Sequence, residues 1–211
     1  MDHRAPRTSE LIAALPDSFV GETLSLGDLV AALRNRVFGL GILLFSIPNI
    51  FPMPPGVPAT MGAVLMLLGL QLAIGRQTIW MPGRLARYEL SRDTLRKISG
   101  RSVPWIRRFE KLSRPRLDMF TGPVGARTVG ATIFVLGLVL LLPFPLLGNI
   151  PPGVAASVLG LGLVERDGLL VALGYVAAMV AVGVTGLVTW LIWEGALHLF
   201  EGGLNFPWFG G

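Results

Sequence analysis

The chain has no cysteine, which excludes disulfides, thiolate zinc sites, iron–sulfur clusters and thiol nucleophiles. Its only histidines are His3 and His198, too few for a histidine-rich metal site. Charge is also scarce. Only 15% of the 211 residues are Asp, Glu, Lys or Arg, and a mean hydropathy of +0.64 is too high for an ordinary soluble domain. A Walker loop, a nucleophile elbow and a dinucleotide fingerprint are all missing from the sequence, so it reads as a membrane protein that is not an enzyme and uses no metal or cofactor. The first twenty residues lack the basic start, apolar core and small-residue cleavage site of a secretory signal.

The charge that is present is unevenly placed. Residues 76–127 hold thirteen Lys/Arg against four acids, whereas 1–36 hold four against five and 128–211 one against four. The pI near 10.7 therefore reports one basic loop. Uncharged apolar stretches flank that loop, so anionic lipid headgroups suit it better than nucleic acid.

Three stretches carry no charge: Val37 to Gly75, Thr128 to Val164 and Gly168 to Trp193. The last, 26 residues long, makes a helix of about 39 Å, enough to cross a ~30 Å hydrocarbon core with tilt. The first two are broken by proline, which lacks an N–H and clashes with the preceding turn, so neither is one continuous helix. The turn tips are Pro54-Pro55-Gly56 and Pro151-Pro152-Gly153. The eleven-residue leg Val154 to Val164 would span only ~17 Å, which makes these hairpins re-entrant or compressed.

The two breaks resemble one another. Asn49-Ile50 and Pro54-Pro55-Gly56-Val57 match Asn149-Ile150 and Pro151-Pro152-Gly153-Val154, offset by about 97 to 100 positions, and Arg36 and Arg127 open the two units; this reads as an internal repeat. The expected organisation is all-α and polytopic: an N-terminal amphipathic cytoplasmic segment (1–36), a membrane hairpin (37–75), a basic interfacial segment (76–127), a second hairpin (128–164), a transmembrane helix (168–193) and a tail (194–211). Ser25 to Asp28 is a capping box for a helix with Leu26, Leu29, Val30 and Leu33 on one face. Pro104 is expected to open another helix, with Trp105, Phe109 and Leu112 opposite Arg107, Arg108 and Lys111. Placing the basic loop in the cytoplasm puts every Lys and Arg inside and the C-terminal tail outside.

Candidate site residues follow from depth. Asn49 and Asn149 either present amide dipoles to an anionic headgroup or ion, or satisfy their own turns. Arg36 and Arg127 either grip phosphate or anchor the hairpins at the interface. Glu165, Arg166 and Asp167 either line a pathway or form a solvated turn. Gln71 is expected to hydrogen-bond another helix, and Gly174, Ala178 and Ala181 form a small-residue stripe suited to close packing within the chain or across a homodimer.

The run Ser25-Leu26-Gly27-Asp28-Leu29, Phe38-Gly39 leading to Ile47-Pro48-Asn49, the Pro-Pro-Gly turn, Leu70-Gln71-Leu72 and Trp80-Met81-Pro82 appear in an order that is not generic. Pro115-Arg116-Leu117 to Thr121-Gly122-Pro123 and Glu165-Arg166-Asp167-Gly168 continue it. From about Thr23 to Val184 the chain resembles the exopolysaccharide synthesis ExoD family. The resemblance implies a multi-pass protein of the bacterial inner membrane associated with exopolysaccharide synthesis, and carries no reaction mechanism onto residues. Paired broken helices point to transport or handling of an anionic lipid-linked intermediate or coupling ion. The alternative is a scaffold for the polysaccharide synthesis components. Shielding the broken backbone from lipid leads us to expect a homodimer.

Overall fold

The computed structural model describes residues 8–14, 23–33, 36–54, 56–112, 122–142 and 148–203. They are mostly helical. In chain order the elements are α1 (Thr8–Ala14), β1 (Thr23–Ser25), α2 (Leu26–Leu33), α3 (Val37–Ser46) running into a 3-10 turn (Ile47–Ile50), α4 (Val57–Ala73) and α5 (Gly83–Ala86). There follow β2 (Glu89–Ser91), α6 (Arg92–Leu112), α7 (Pro123–Leu141), α8 (Ile150–Glu165) and α9 (Gly168–Gly203).

Two helices, Pro123–Leu141 and the Gly168–Gly195 part of α9, are long and apolar enough to cross a membrane; Val57–Ala73 and Ile150–Glu165 are apolar but shorter. The four helices of the two proline-broken stretches pack as a ring. Antiparallel α4 and α7 touch through Gly62, Gly69, Gly130 and Gly137, and antiparallel α3 and α8 through Gly39, Gly153 and Gly160. Absent side chains let the backbones close to dispersion distance, which is how apolar helices associate without a hydrophobic drive between them. Ile42, Leu65, Ile133, Leu136, Ala155 and Leu159 fill the centre with no exposure at all. Asn49 and Asn149, each beside one of the two breaks, lie at one end of the ring, and Arg36, Gly75, Arg127 and Glu165 to Asp167 lie at the other.

Contacts recur at a spacing of 91 residues. Gly39 and Gly130, Gly62 and Gly153, and Gly69 and Gly160 are each 91 apart, and each pair makes the corresponding contact in its own half of the ring. Arg36 and Arg127 share that spacing, as do Gly75 (φ +88) and Arg166 (φ +52). The two Pro-Pro-Gly-Val runs, offset by more, do not occupy equivalent places. The first leads into α4, whose N-cap is Gly56 at φ +97, while the second lies inside the first turns of α8.

Several expectations are corrected. Pro151, Pro152 and Gly153 are not a tip: the first helical N–H groups need no intrahelical partner, so prolines fit there, and α8 has 16 residues instead of an eleven-residue leg. Pro55 lies outside the described residues. Pro104 is inside α6 instead of opening a helix, since one lost ladder bond does not end a helix of this length; the side chains of Trp105, Phe109 and Leu112 lie outside the described set. The last helix continues past Trp193 to Gly203, because Glu194 carries no helix-stopping property. An antiparallel ribbon, Thr23↔Ser91, Leu24↔Leu90 and Ser25↔Glu89, qualifies the all-α expectation; three residues per strand are too few to show an alternating pattern.

The capping box is present: Ser25 Oγ accepts from the Asp28 amide at 3.1 Å and donates to Asp28 Oδ2 at 2.6 Å. Val30 and Leu33 of α2 pack against the ring, and Ser99 Oγ of α6 donates to Ile12 O of α1 at 3.1 Å. The small-residue stripe is used within the chain: a Cβ on Gly174 would meet Leu159 Cδ2 at 2.6 Å, and Ala178 and Ala181 are buried. That face is not available to a second copy.

α9 acts as a ruler for the rest. Gly174 and Val171 lie against Leu159 and Gly162 of antiparallel α8, so the start of α8 comes level with about Gly183. Parallel α7 is tied to α9 by a 2.7 Å bond between Thr128 Oγ1 and the Tyr175 hydroxyl, which brings Leu142 level with about Thr189. Beyond that level Trp190 and Trp193 are exposed.

Candidate functional site

The sequence-predicted residues separate into two groups at opposite ends of the ring. At the charged end, Arg127 lies over Gly75: a Cβ there would sit 2.7 Å from Arg127 Nε. Gly75 takes a positive φ because α4 must stop and turn at once, a conformation open to glycine. Arg36 precedes α3 and is half-buried. Arg166 ends α8 in the left-handed conformation, its N–H donating to Gly162 O. Asp167 is buried, and its Oδ1 accepts the Leu169 amide at 2.9 Å, so it caps α9. Glu165, Arg166 and Asp167 thus form a helix-to-helix turn, away from the asparagines. Gln71 bonds no other helix; its Oε1 accepts the Trp80 amide at 2.6 Å and ties the following loop to the end of α4.

At the other end the structure brings Asn49 to the start of α8. Asn49 sits in the 3-10 turn that finishes α3, and a Cβ on Gly153 would lie 2.9 Å from its Cβ. Asn149 is the N-cap of α8, and its carbonyl accepts the Gly153 N–H at 3.1 Å. Gly153 is therefore the element that lets the two asparagine-bearing turns meet. Asn49 is 1% exposed and Asn149 9%. Asn49 Nδ2 donates to Phe45 O at 2.8 Å, while the Oδ1 atoms of both residues are buried with no hydrogen-bond partner among the described residues. Each such acceptor costs about 1–3 kcal/mol unless something donates to it.

Sequence reasoning missed two members of this cluster. Ser46 Oγ lies 2.9 Å from Ser157 Oγ, and Ser157 Oγ donates to Gly153 O at 2.8 Å. Serines inside apolar runs are common, and only the antiparallel pairing of α3 with α8 places these two together. The cluster consists of neutral oxygens. Among the described residues no group of three or more His, Cys, Asp or Glu is arranged to hold a metal. A separate open groove of about 780 Å³ runs between α7 and α9, lined by Ala131, Val135, Leu136, Ala178 and Met179; it is largely apolar.

Comparison with known proteins supports the resemblance noted above. The family model described as "Exopolysaccharide synthesis, ExoD" matches residues 8–187. The chain is 31% identical over 199 residues to Protein ExoD of Rhizobium meliloti (strain 1021), covering 91% of this chain and 82% of that protein. It is 24% identical over 183 residues to an uncharacterized protein of Synechocystis sp., covering 86% of each. No solved structure matches. The match spans every element from α1 to the part of α9 that packs on the ring, and the chain belongs to the exopolysaccharide synthesis ExoD family.

Proposed function

We propose that this protein performs a transport or lipid-handling step in exopolysaccharide synthesis, without covalent catalysis, as a multi-pass protein of the bacterial inner membrane. One observation carries the reading: two helical hairpins break at the same end of the ring and bury two asparagine carbonyl oxygens there without partners among the described residues. A purely structural bundle gains nothing from such atoms. Broken helices meeting at buried polar groups are the pattern of transporter sites. The spacing of 91 between corresponding glycines and arginines supports a duplicated hairpin, its copies related by a two-fold axis along the membrane normal.

With the basic loop in the cytoplasm, the asparagine end faces the outer leaflet and Arg36 and Arg127 face the inner one. The level of Leu142 against α9 supports a compressed full crossing by the second hairpin. The homodimer remains part of this proposal, with its contact moved to the part of α9 level with the asparagine end of the ring, where Gly183 and Gly186 have open space around them. A scaffold is the second reading, favoured by the exposed Arg96, Lys97 and Arg101 of α6, which suit a headgroup surface or an acidic partner.

The deciding experiment replaces Asn49 and Asn149 together with alanine and measures exopolysaccharide output alongside the amount of inserted protein. Loss of polymer at normal insertion is expected. Undiminished polymer would leave the scaffold. Maleimide labelling of Phe51→Cys from the side reached by a cysteine in the tail tests the crossing.

A further inference from the structure

The spacing of 91 pairs the two charged helix ends residue by residue, and the paired ends differ in charge. Arg36 precedes α3, and one turn further on Gly39 lies against Val164 of α8, so Arg36 comes level with Glu165, Arg166 and Asp167. The twins of those three are Ile74, Gly75 and Arg76, which finish α4 beside Arg127. The first set holds two arginines against two acids, whereas the second holds two arginines and no acid. One half of the ring balances its charge and the other does not. The roughly −0.5 charge at the C-terminus of α4 offsets only about a quarter of the excess.

Arg76 and Arg127 are both exposed, and neither side chain makes a hydrogen bond or ion pair among the described residues. Capping α4 does not occupy Arg127, because the Leu70, Gln71 and Leu72 carbonyls already accept the Ile74, Arg76 and Gly75 amides at 3.0, 3.0 and 2.9 Å. Its guanidinium lies over Gly75, with Nη2 2.8 Å from where a Cβ would stand, and Arg76 follows directly in the chain. An apolar groove starts from the same place. Arg127, Ala131 and Val135 recur at every fourth residue and so share one row along α7, and Ala131 and Val135 line the groove between α7 and α9. The facing wall runs from Tyr175 to Val182, about 10 Å along α9. At the arginine end the 2.7 Å bond between the Thr128 and Tyr175 hydroxyls gives the groove a polar border. Its walls are the two helices long and apolar enough to cross a membrane, so in a bilayer the material that fills it is hydrocarbon.

We propose that this is the seat of an anionic phospholipid, its phosphate held by Arg127 and Arg76 and one acyl chain laid in the groove between α7 and α9. Uncompensated positive charge at the end of an apolar groove fits a molecule with an anionic head and a hydrocarbon tail. A free phosphate leaves the groove unused, and a protein segment laid there brings peptide N–H and C=O groups that find no partners. The proposal rests on the lipid-handling reading above and names the lipid class and where it docks, on the side that the basic loop places at the inner leaflet; the asparagines take no part in it. Glu165 and Asp167 occupy the equivalent end of the other half, so there is a single seat per chain.

The test is thermal unfolding of the full-length protein in mild neutral detergent, titrated with phosphatidylglycerol, phosphatidylcholine or glycerol phosphate. Phosphatidylglycerol should raise the midpoint by about 3–6 °C at roughly ten times its dissociation constant, and the other two at that concentration by less than about a third as much. Arg76→Gln combined with Arg127→Gln should weaken phosphatidylglycerol at least about tenfold, and so should Ala131→Phe, which fills the groove and keeps both charges. Lys97→Gln combined with Arg101→Gln removes the same charge from exposed positions of α6 and should leave the response unchanged. An equal rise with phosphatidylcholine means unselective tail binding, an equal rise with glycerol phosphate means a free-anion site, and a response lost in the α6 variant means a general charge effect; each overturns the proposal. So does a full response in either seat variant. Phosphatidylglycerol with a photoreactive group in one chain reads the contact on the wild type without any substitution: labels on α7 and α9 within 128–183 are expected, and labels confined to other segments overturn the seat. Polymer output separates this from the broader reading. Normal polymer in cells whose Arg76→Gln, Arg127→Gln protein has lost the lipid keeps the seat and refutes a lipid-handling role for it, whereas polymer loss in the Asn49, Asn149 double variant with no lipid response in the wild type does the reverse.

Discussion

Adding one methyl group at Gly69 is the most direct challenge to the glycine-mediated packing. A Cβ there would collide with the Phe134 amide nitrogen and lie 2.7 Å from Gly130 O, both backbone atoms that no rotamer change can move. Restoring an ordinary contact of about 3.5 Å drives α4 and α7 apart by roughly 1 Å, and a gap of ~0.5–1 Å forfeits about a quarter to a half of each contact's attraction. Leu65, Leu68, Leu72, Ile133, Leu136 and Leu140 line the seam, none more than 6% exposed. If each contributes roughly ten atom pairs across it at ~0.15 kcal/mol, the loss is about 2–4 kcal/mol. Lipid tails cannot enter so thin a gap. The equivalent position in the other half is milder: a Cβ on Gly160 meets the Ile42 Cγ2 side-chain atom at 2.9 Å, while the nearest backbone atom, Gly39 O, is at 3.2 Å and needs to give by only a few tenths of an ångström, so Gly160→Ala should cost less than ~1.5 kcal/mol. Gly186→Ala, with nothing within 4 Å, is the control and should be neutral or slightly stabilising. Unfolding by denaturing detergent titrated into mild detergent gives all three values. Equal losses for Gly69→Ala and Gly160→Ala would refute the distinction between backbone and side-chain obstruction.

Two further outcomes are expected. Gln71→Ala removes the acceptor for the Trp80 amide and should cost about 1 kcal/mol; trypsin cleavage at Arg76 and Arg84 should accelerate while the ring itself stays folded. Gly75→Ala meets both a φ of +88 and the Arg127 side chain, so it should cost about 2 kcal/mol in the wild type and about 1 kcal/mol in an Arg127→Ala background, where only the backbone strain remains. A double-mutant cycle on unfolding reads the difference, and identical costs in the two backgrounds would remove Arg127 from this contact.

The sequence alone was sufficient for several features that depend on neighbours along the chain. The absence of charge over Val37 to Gly75, Thr128 to Val164 and Gly168 to Trp193 marks the apolar helices, because a helix in lipid tolerates little else. Proline marks the interruption of the two long apolar stretches without fixing where each helix begins, since Pro151 and Pro152 fit the first turn of α8 and Pro104 lies inside α6. The Ser25–Asp28 cap is local, and so is the depth of Asn49 and Asn149. Arg36 and Arg127 are 91 residues apart, the spacing at which the glycine contacts recur, whereas the more conspicuous Pro-Pro-Gly-Val match has a different offset.

What only the tertiary structure decided is which surfaces meet. A glycine in an apolar run is the same symbol whether it faces open space, as Gly186 does, or holds two backbones together, as Gly69 does. The stripe at Gly174, Ala178 and Ala181 shows that it is sticky without showing for what, and α8 of the same chain takes it. The Ser46 and Ser157 hydroxyls are 111 residues apart in sequence and become neighbours only because α3 packs on α8. The physical reason is common to all three. Close packing between helices depends on the shape left by missing side chains on both partners, and a sequence states each partner's half without stating the pairing.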